Sequence, residues 1–411
     1  MSAIPSPLID PDTALQRLLG AARPLAETEL VPTGAALGRV LAADVAATID
    51  VPPADNTQMD GYALNSADVA VAGTVLAVSQ RIPAGAVPRP LQRGTAARIF
   101  TGGLMPAGAD CVIMQEDCSA EGDRVAVRIV PKPGNWVRRR GLDVAAGSAV
   151  LAAGQRLRPQ DLGLAAAVGV ATLAVRRRPR VAILFTGDEL AMPGEPLRPG
   201  AIYNSNRFVI QALLQAAGCE VTDFGTVPDA LDATRAALRA AARQHDLIVS
   251  TGGMSVGEED HVKPAVQAEG ALDLWQIAMK PGKPLAFGSV RRGGAEGEAA
   301  FIGLPGNPVS SFVTFLMFVR PFLLALQGVR DVAPVSLPVR AAFDWPKPDR
   351  RREYLRVRLD ARGEAELFPN QNAAVLTSTV WADGLVDNPP QQAIRRGDLL
   401  RYLPFSALLQ G

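Results

Sequence analysis

The chain has 411 residues, enough for two to four domains. Its 42 Lys and Arg against 41 Asp and Glu give a net charge of +1, which argues against nucleic-acid binding through phosphates. Three cysteines without a CxxC pair and two histidines argue against disulfides and structural zinc, so metal chemistry would use oxygen ligands, as Mg²⁺ does. The N-terminal residues lack the pattern of a signal peptide, and the apolar runs are shorter than the roughly 18–20 residues of a membrane span. We therefore predict a cytoplasmic protein without membrane association.

The first 178 residues alternate between helical and β-strand patterns. Apolar residues from Ala14 to Leu19 have helical spacing, with Asp12 or Thr13 as the expected N-cap. Short alternating runs broken by Gly and Pro predict a β-rich domain over 45–147. Residues 157–175 read as a helix and a strand that we expect to pack against the N-terminal helix. Residues 1–44 and 148–178 would then form a small discontinuous α/β linking domain, into which the β-rich domain is inserted.

The middle of the chain has the most regular pattern. An Arg-rich run at 176–180 is interpreted as a solvated linker. Strands and helices then alternate over 179–329, which predicts a doubly wound, mostly parallel α/β domain. Strands are expected at 181–185, 220–225, 247–250, 274–279, 284–287 and 300–304, and helices at 206–217, 230–243, 261–268 and 308–327. Residues 330–411 return to short strands and predict a C-terminal β domain, so that the whole chain is a multidomain α/β protein.

Glycine-rich and polar clusters follow the predicted strands of the α/β domain. They are TGDE at 186–189, PD at 228–229, TGGMSVGEED at 251–260, KPGK at 280–283 and LPGNP at 304–308. Open α/β sheets bind ligands outside the carboxyl ends of their strands, where such loops converge. The sequence therefore predicts one ligand site built from all five loops.

The residue types in these loops suit a phosphate with a divalent cation. Gly252 and Gly253 allow close approach of backbone N–H groups to an anion. Asn307 and Pro308 would open a helix whose N-terminus favours a phosphate, and two of the chain's five lysines, Lys280 and Lys283, add positive charge. Opposite charges come from Asp188, Glu189, Asp229, Glu258, Glu259 and Asp260. Because the chain has no GxGxxG and no GxxxxGK[ST], a dinucleotide fold or a Walker-type ATPase is disfavoured.

Seven motifs occur in an order that resembles the MoeA-type molybdopterin molybdenumtransferase family, which is similar to the E domain of gephyrin. They are PPADNTQMDGYAL, RIFTGGLMPAGADCVI, RRRGLDV, FTGDEL, STGGMSVGEEDHVK, MKPGKPLAFG and LPGNPVSSF. The resemblance implies insertion of molybdate into adenylylated molybdopterin, with release of AMP, formation of molybdenum cofactor and a requirement for Mg²⁺. It also implies a homodimer, with transient contacts to other proteins of molybdenum cofactor biosynthesis.

The same resemblance assigns roles to individual residues. It implies catalytic roles for Asp60, Thr101, Asp143, Glu189, Asp229 and Asp260, of which Glu189, Asp229 and Asp260 would hold the metal. Substrate binding would involve Gly252, Gly253, Ser255, Lys280, Lys283, Pro305, Asn307 and Pro308. Arg352 and Ser378 match the molybdate-contacting residues, and Lys280 and Lys283 would assist them.

Two other functions use the same residues. The α/β domain alone would suit a molybdopterin adenylyltransferase-like or nucleotide pyrophosphatase activity, but the motifs between 55 and 143 would then have no role. A non-catalytic pterin-binding scaffold is the second alternative. Charges buried near a phosphate are costly, and a scaffold gains nothing from them, so the carboxylates favour an enzyme.

Overall fold

The computed structural model describes residues 8–253, 261–293 and 297–410. The chain divides into two units, one of which is Leu30–Val175, while the other combines the preceding and the following residues. Each unit has hydrophobic clusters of its own.

The Leu30–Val175 unit is built on a six-stranded sheet. In spatial order its strands are Cys111–Met114, Gly61–Leu64, Thr95–Ile99, Thr74–Ile82, Arg124–Val127 and Cys118–Glu121. Two short ladders pair Asn56–Thr57 with Val137–Arg138 and Val45–Ala46 with Ala149–Leu151. The helix Pro159–Ala167 and the 3₁₀ turns Thr33–Ala35, Ser66–Asp68 and Gln115–Asp117 complete it. The strands that the alternating pattern predicted between 74 and 130 are thus present.

The N-terminal helix lies in the other unit, contrary to our prediction. It spans Pro11–Ala21, and Asp10, not Asp12 or Thr13, caps it by accepting two backbone N–H groups. Ala14 and Leu18 lie on one helix face and are buried in the main α/β core. The strand Thr172–Arg176 of the segment 157–175 pairs instead with Thr28–Pro32.

The α/β unit has a mixed six-stranded sheet. Its strands, in spatial order, are Glu220–Val227, Arg180–Thr186, Leu247–Thr251, Glu298–Leu304, Pro284–Arg291 and Gly270–Gln276. The first four strands are parallel to one another. Pro284–Arg291 runs antiparallel to both of its neighbours, so Gly270–Gln276 runs in the same direction as the first four. The expected mostly parallel, multidomain α/β fold is thus confirmed. Continuous Val, Ile and Leu residues form the inner strands because both sheet faces are covered. The covering helices are Ser205–Ala216, Leu231–Ala242, Val262–Glu269 and Pro308–Leu326.

The helix Pro308–Leu326 is a core element. By length and composition it could cross a membrane, but 94% of its most apolar stretch is buried inside the protein. It contains one widened, π-helical turn at Phe315–Val319. A short parallel pair, Leu190–Ala191 with Ile202–Tyr203, precedes the helix Ser205–Ala216.

The Arg-rich run is not the solvated linker that we expected. Arg177 is only 9% exposed. Its Nη1 lies 2.7 Å from Asp246 Oδ2, and its Nε lies 2.6 Å from Glu27 Oε2. These two carboxylates raise the pKa of Arg177, because they favour its charged form. The run therefore forms part of the folded α/β unit.

The C-terminal residues form a second sheet in the same unit. Its strands, in spatial order, are Met279–Lys280, Arg352–Leu359, Gly384–Asn388, Leu399–Pro404 and Leu337–Arg340, with Ala365–Leu367 paired to the second. The helices Thr377–Trp381 and Phe405–Gln410 accompany it. Because Met279–Lys280 joins this sheet, the KPGK loop lies between the α/β sheet and the C-terminal sheet.

Candidate functional site

A cavity of about 1080 Å³ lies at the carboxyl edge of the α/β sheet. Four of the predicted loops meet there, those that begin at 186, 251, 280 and 304. The loop at 280 can reach this edge because the last strand of the sheet runs in the same direction as the four parallel strands. The predicted residues that line the cavity are Glu189, Gly252, Gly253, Lys280, Lys283, Pro305, Asn307 and Pro308. Two further predicted residues, Ser255 and Asp260, lie outside the described residues, as do Glu258 and Glu259.

The long core helix begins at this cavity. Asn307 is its N-cap and Pro308 its first residue, as predicted. The side chain of Asn307 makes no capping hydrogen bond within the described part of the chain, although it lines the cavity. Pro308 has no N–H, and the N–H groups of Val309 and Ser311 donate to backbone carbonyls. In the described first turn this leaves the N–H of Ser310 for an anion, for which the positive end of the helix dipole is favourable.

Only glycine fits at position 252. Its φ is +87°, and a Cβ atom at this position would lie 2.6 Å from the carbonyl oxygen of Thr186. The two adjacent loops can approach each other this closely only because residue 252 has no side chain.

Of the carboxylates predicted for the site, Glu189 lines the cavity, whereas Asp188 and Asp229 do not, so the fifth predicted loop, at 228–229, is not part of the lining. The N–H of Asp188 donates to Asp229 Oδ2 at 3.3 Å. Burial, together with the negative charges of Asp188 and Glu189, raises the pKa of Asp229 above the usual value. The negative charges of Asp188 and Glu189 thus act on Asp229, an arrangement that favours a cation.

The same carboxylates fit Mg²⁺ better than a metal that needs an all-protein cage. In the described parts of the chain no three His, Cys, Asp or Glu residues are grouped to hold one ion. Mg²⁺ usually takes one or two carboxylates, with phosphate oxygens and water as its other ligands. Glu189 and Asp229 match that donor set, while the predicted third ligand, Asp260, is outside the described residues.

Asp229→Asn should raise the Tm of the ligand-free protein by about 2 °C near neutral pH. Because the folded-state pKa is raised, the ionised carboxylate destabilises the fold above both the folded and the unfolded pKa, and this cost disappears below both. The gain in Tm should therefore shrink as the pH falls to about 3. Thermal unfolding across this range tests it, with Asp232→Asn as the control because the side chain of Asp232 is 97% exposed. A lower Tm for Asp229→Asn at neutral pH would contradict the prediction that the ionised carboxylate of Asp229 destabilises the fold.

Two cations of the cavity, Lys280 and Arg351, both form ion pairs with Asp349. Lys280 Nζ lies 3.4 Å from Glu353 Oε1 and 3.5 Å from Asp349 Oδ2. Asp349 also accepts two hydrogen bonds from the guanidinium of Arg351, which lowers the pKa of Asp349 strongly. Glu353 is 1% exposed and also accepts a hydrogen bond from Trp345 Nε1 at 2.8 Å. Lys280 and Arg351 are thereby fixed at the cavity wall.

The structure does not place Arg352 and Ser378 on this cavity. Arg352 lines a separate, smaller cavity and forms ion pairs with Asp12 and Asp387. Ser378 is fully buried, accepts a hydrogen bond from Arg356 Nε at 3.2 Å and donates one to a backbone carbonyl. Both assignments to molybdate thus disagree with the geometry, and the cavity-lining arginine of this segment is Arg351.

Several cavity residues had not been predicted. Those with polar side chains include Thr186, Asn204, Asn206, Gln371 and Asn372. The sequence does contain a signal for two of them, because the polar triplet NSN at 204–206 lies between a strand pattern and a helix. Gln371 and Asn372 belong to an irregular loop, for which periodicity gives no signal.

The Leu30–Val175 unit holds the remaining predicted residues. Asp60 Oδ1 accepts hydrogen bonds from the N–H and the hydroxyl of Thr101 at 2.8 and 2.7 Å, which lower the pKa of Asp60. Asp55 Oδ1 likewise accepts the N–H of Arg140 at 2.7 Å. Asp143 is exposed, and its N–H donates to a backbone carbonyl. The structure therefore brings Asp60 and Thr101 together.

Comparison with protein families matches three regions in succession. Residues 9–169 match the MoeA N-terminal region (domain I and II), residues 182–325 a probable molybdopterin binding domain, and residues 338–405 the MoeA C-terminal region (domain IV). The chain belongs to the MoeA family. It is accordingly a transferase of molybdenum cofactor biosynthesis.

Individual MoeA proteins are similar over most of the chain. Molybdopterin molybdenumtransferase of Haemophilus influenzae is 40% identical over 306 residues, covering 74% of each chain. Molybdopterin molybdenumtransferase 2 of Mycobacterium tuberculosis is 36% identical over 384 residues, covering 90% of this chain and 92% of that one. The crystal structure of the molybdopterin biosynthesis moeA protein from Pyrococcus horikoshii OT3 superposes with a TM-score of 0.84 at 29% identity, covering 97% of this chain and all of that one.

Proposed function

We propose that this MoeA-family chain inserts molybdate into adenylylated molybdopterin and releases AMP in a Mg²⁺-dependent reaction. The observation that supports this proposal is the composition of the cavity. Gly252 and Ser310, whose backbone N–H groups suit an anion, line it together with the cations Lys280 and Arg351 and the carboxylate Glu189. A substrate with phosphates, an oxyanion and a divalent cation uses each of these features.

The chain's own residues would divide the substrate between two walls of the cavity. Gly252, Gly253 and the helix that begins at Pro308 would hold the phosphates of the adenylyl pyrophosphate. Lys280, Lys283 and Arg351 would hold molybdate, a tetrahedral dianion, near the phosphoanhydride. This arrangement orients the oxyanion and the bond to be cleaved in one place, which lowers the entropic cost of the reaction.

Mg²⁺ would be held by Asp229 and Glu189, with Asp260 as the proposed third ligand. When bound, it would supply positive charge to the phosphate oxygens of the cleaved anhydride. The raised pKa of Asp229 supports this role, because a bound cation would stabilise the ionised form that burial and the neighbouring carboxylates disfavour. Our proposal also includes a homodimer, transient contacts with other proteins of the same biosynthesis, and a cytoplasmic location.

The decisive experiment is AMP release from adenylylated molybdopterin, measured with and without molybdate and Mg²⁺. We expect release that depends on both, with a loss of about 100-fold or more in Asp229→Asn. Release without molybdate would favour a nucleotide pyrophosphatase instead. Binding of the substrate without any AMP release would favour a non-catalytic scaffold. Asp232→Asn, which removes the carboxylate of a 97% exposed side chain three residues after Asp229, is the matched control.

A further inference from the structure

Three buried polar atoms on the cavity wall lack a hydrogen-bond partner among the described residues. They are Thr186 Oγ1, Asn204 Nδ2 and Asn206 Oδ1. All three residues line the cavity, and Thr186 and Asn204 are only 6% and 2% exposed. Buried polar groups are normally paired because leaving one unpaired costs free energy. Because all three residues line the same cavity, their unpaired atoms point to a ligand there.

The chemical identity of the two amide groups is fixed by their backbone neighbours. Asn204 Oδ1 accepts the N–H of Arg207 at 3.1 Å, as an N-cap does, so its NH₂ group is the unpaired end. Asn206 Nδ2 donates to the carbonyl oxygen of Gly306 at 2.7 Å, so its oxygen is the unpaired end. Asn204 thus offers a donor and Asn206 an acceptor, while the hydroxyl of Thr186 can serve as either.

This combination excludes ionised oxyanions as the partner of Asn206. Phosphate and molybdate oxygens accept hydrogen bonds and, when ionised, have no proton to donate. An amide oxygen either accepts from an N–H or O–H donor or ligates a divalent cation. Since the proposed cation is assigned to Glu189 and Asp229, the partner of the Asn206 oxygen is an N–H or O–H donor. Such donors occur on the organic part of the substrate, on the lactam edge of the pterin or on the nucleoside.

We propose that Thr186, Asn204 and Asn206 recognise an uncharged donor–acceptor edge on the organic part of the substrate. This inference rests on the proposed function, because it takes the substrate to combine a pterin with an adenylyl group. The shared chemistry is a carbonyl or hydroxyl oxygen that accepts from Asn204, next to an N–H or O–H that donates to Asn206. The three residues thereby add selectivity that the cations and glycines of the same cavity cannot supply.

The test uses two substitutions that change the unpaired group alone. Thr186→Val replaces the hydroxyl by a methyl group of similar size. Asn204→Ser keeps an N-cap oxygen but removes the NH₂ donor. The probes are pterin-6-carboxylate and AMP, each titrated calorimetrically against the full-length protein. We expect one probe to bind about 10-fold more weakly to both variants, with no fall in Tm. Thr314→Val is the matched control, since Thr314 Oγ1 is also buried and unpaired in the described chain but Thr314 does not line the cavity.

The outcomes separate this inference from the proposed function. Weaker binding of pterin-6-carboxylate would place the pterin on these residues, and weaker binding of AMP would place the nucleoside there; either supports the inference. Unchanged binding of both probes in both variants overturns it, and so does a wild-type protein that binds neither. The proposed function fails by a different result, the absence of molybdate-dependent AMP release, which requires no probe titration.

Discussion

Gly252→Ala should abolish molybdate-dependent AMP release, with a loss of at least about 100-fold in kcat/KM. The added Cβ would meet the carbonyl oxygen of Thr186 at 2.6 Å, in a backbone conformation that alanine adopts only with strain. The loop must therefore move, and the N–H groups that would face the phosphates move with it. The measurement is steady-state AMP release over a range of substrate concentrations.

The control for this substitution is Gly20→Ala. Gly20 lies in the helix Pro11–Ala21 and has no atom within 4 Å of the position of an added Cβ. Alanine there should stabilise the helix by about 0.5–1 kcal/mol and leave AMP release unchanged. By contrast, Gly252→Ala should cost about 1–3 kcal/mol of stability through backbone strain. Wild-type kcat/KM in Gly252→Ala would show that the close approach of these loops is unrelated to function.

Arg351→Ala should raise the KM for molybdate and Arg352→Ala should not, although the two residues are neighbours in sequence. Arg351 lines the cavity, so its loss should raise the KM for molybdate by about 10-fold or more. Arg352 pairs with the buried Asp387, so its loss should lower the free energy of unfolding by about 1–3 kcal/mol. The KM for molybdate should stay near the wild-type value in Arg352→Ala.

Two measurements decide this comparison, chemical denaturation and AMP release as a function of molybdate concentration. Arg362→Ala is a suitable control, because the side chain of Arg362 is 79% exposed and its ion pair with Asp360 spans 3.8 Å. It should change neither quantity appreciably. A higher KM for molybdate in Arg352→Ala but not in Arg351→Ala would support Arg352, the residue assigned to molybdate from the sequence, and would contradict the assignment of Arg351 from the cavity lining.

The sequence predicts the α/β core and its ligand edge well because both depend on local patterns. Continuous apolar runs and helical periodicity identify each strand and helix, and the glycine-rich loops mark the strand ends. The rule that carboxyl ends converge then brings Gly252, Lys280 and Asn307 to one cavity without any coordinates. Resemblance to a family adds the substrate, which composition and periodicity do not identify.

The errors share a physical cause, which is dependence on contacts far apart in sequence. The choice between Arg351 and Arg352 depends on how their segment aligns with Met279–Lys280, a pairing that the sequence does not reveal. The N-terminal helix could equally bury Ala14 and Leu18 against either unit, and only packing decides. For Asn204, a helix cap explains the residue type fully, so its second, unpaired end gives no separate signal.

The chain leaves the α/β unit after Glu29 and returns to it at Arg176, and these two points are close together. The N–H of Arg177 donates to the carbonyl of Glu27 at 3.1 Å, so departure and return are joined by a hydrogen bond. All residues that line the large cavity belong to 186–376, within the α/β unit. Topologically, therefore, Leu30–Val175 is an insertion in the α/β unit, which supplies the lining of the large cavity by itself. The proposed ligand cavity and the hydrogen-bonded pair Asp60 and Thr101 are thus encoded in different stretches of the chain, so an insertion or deletion within 30–175 can change the second and leave the lining of the first unaltered.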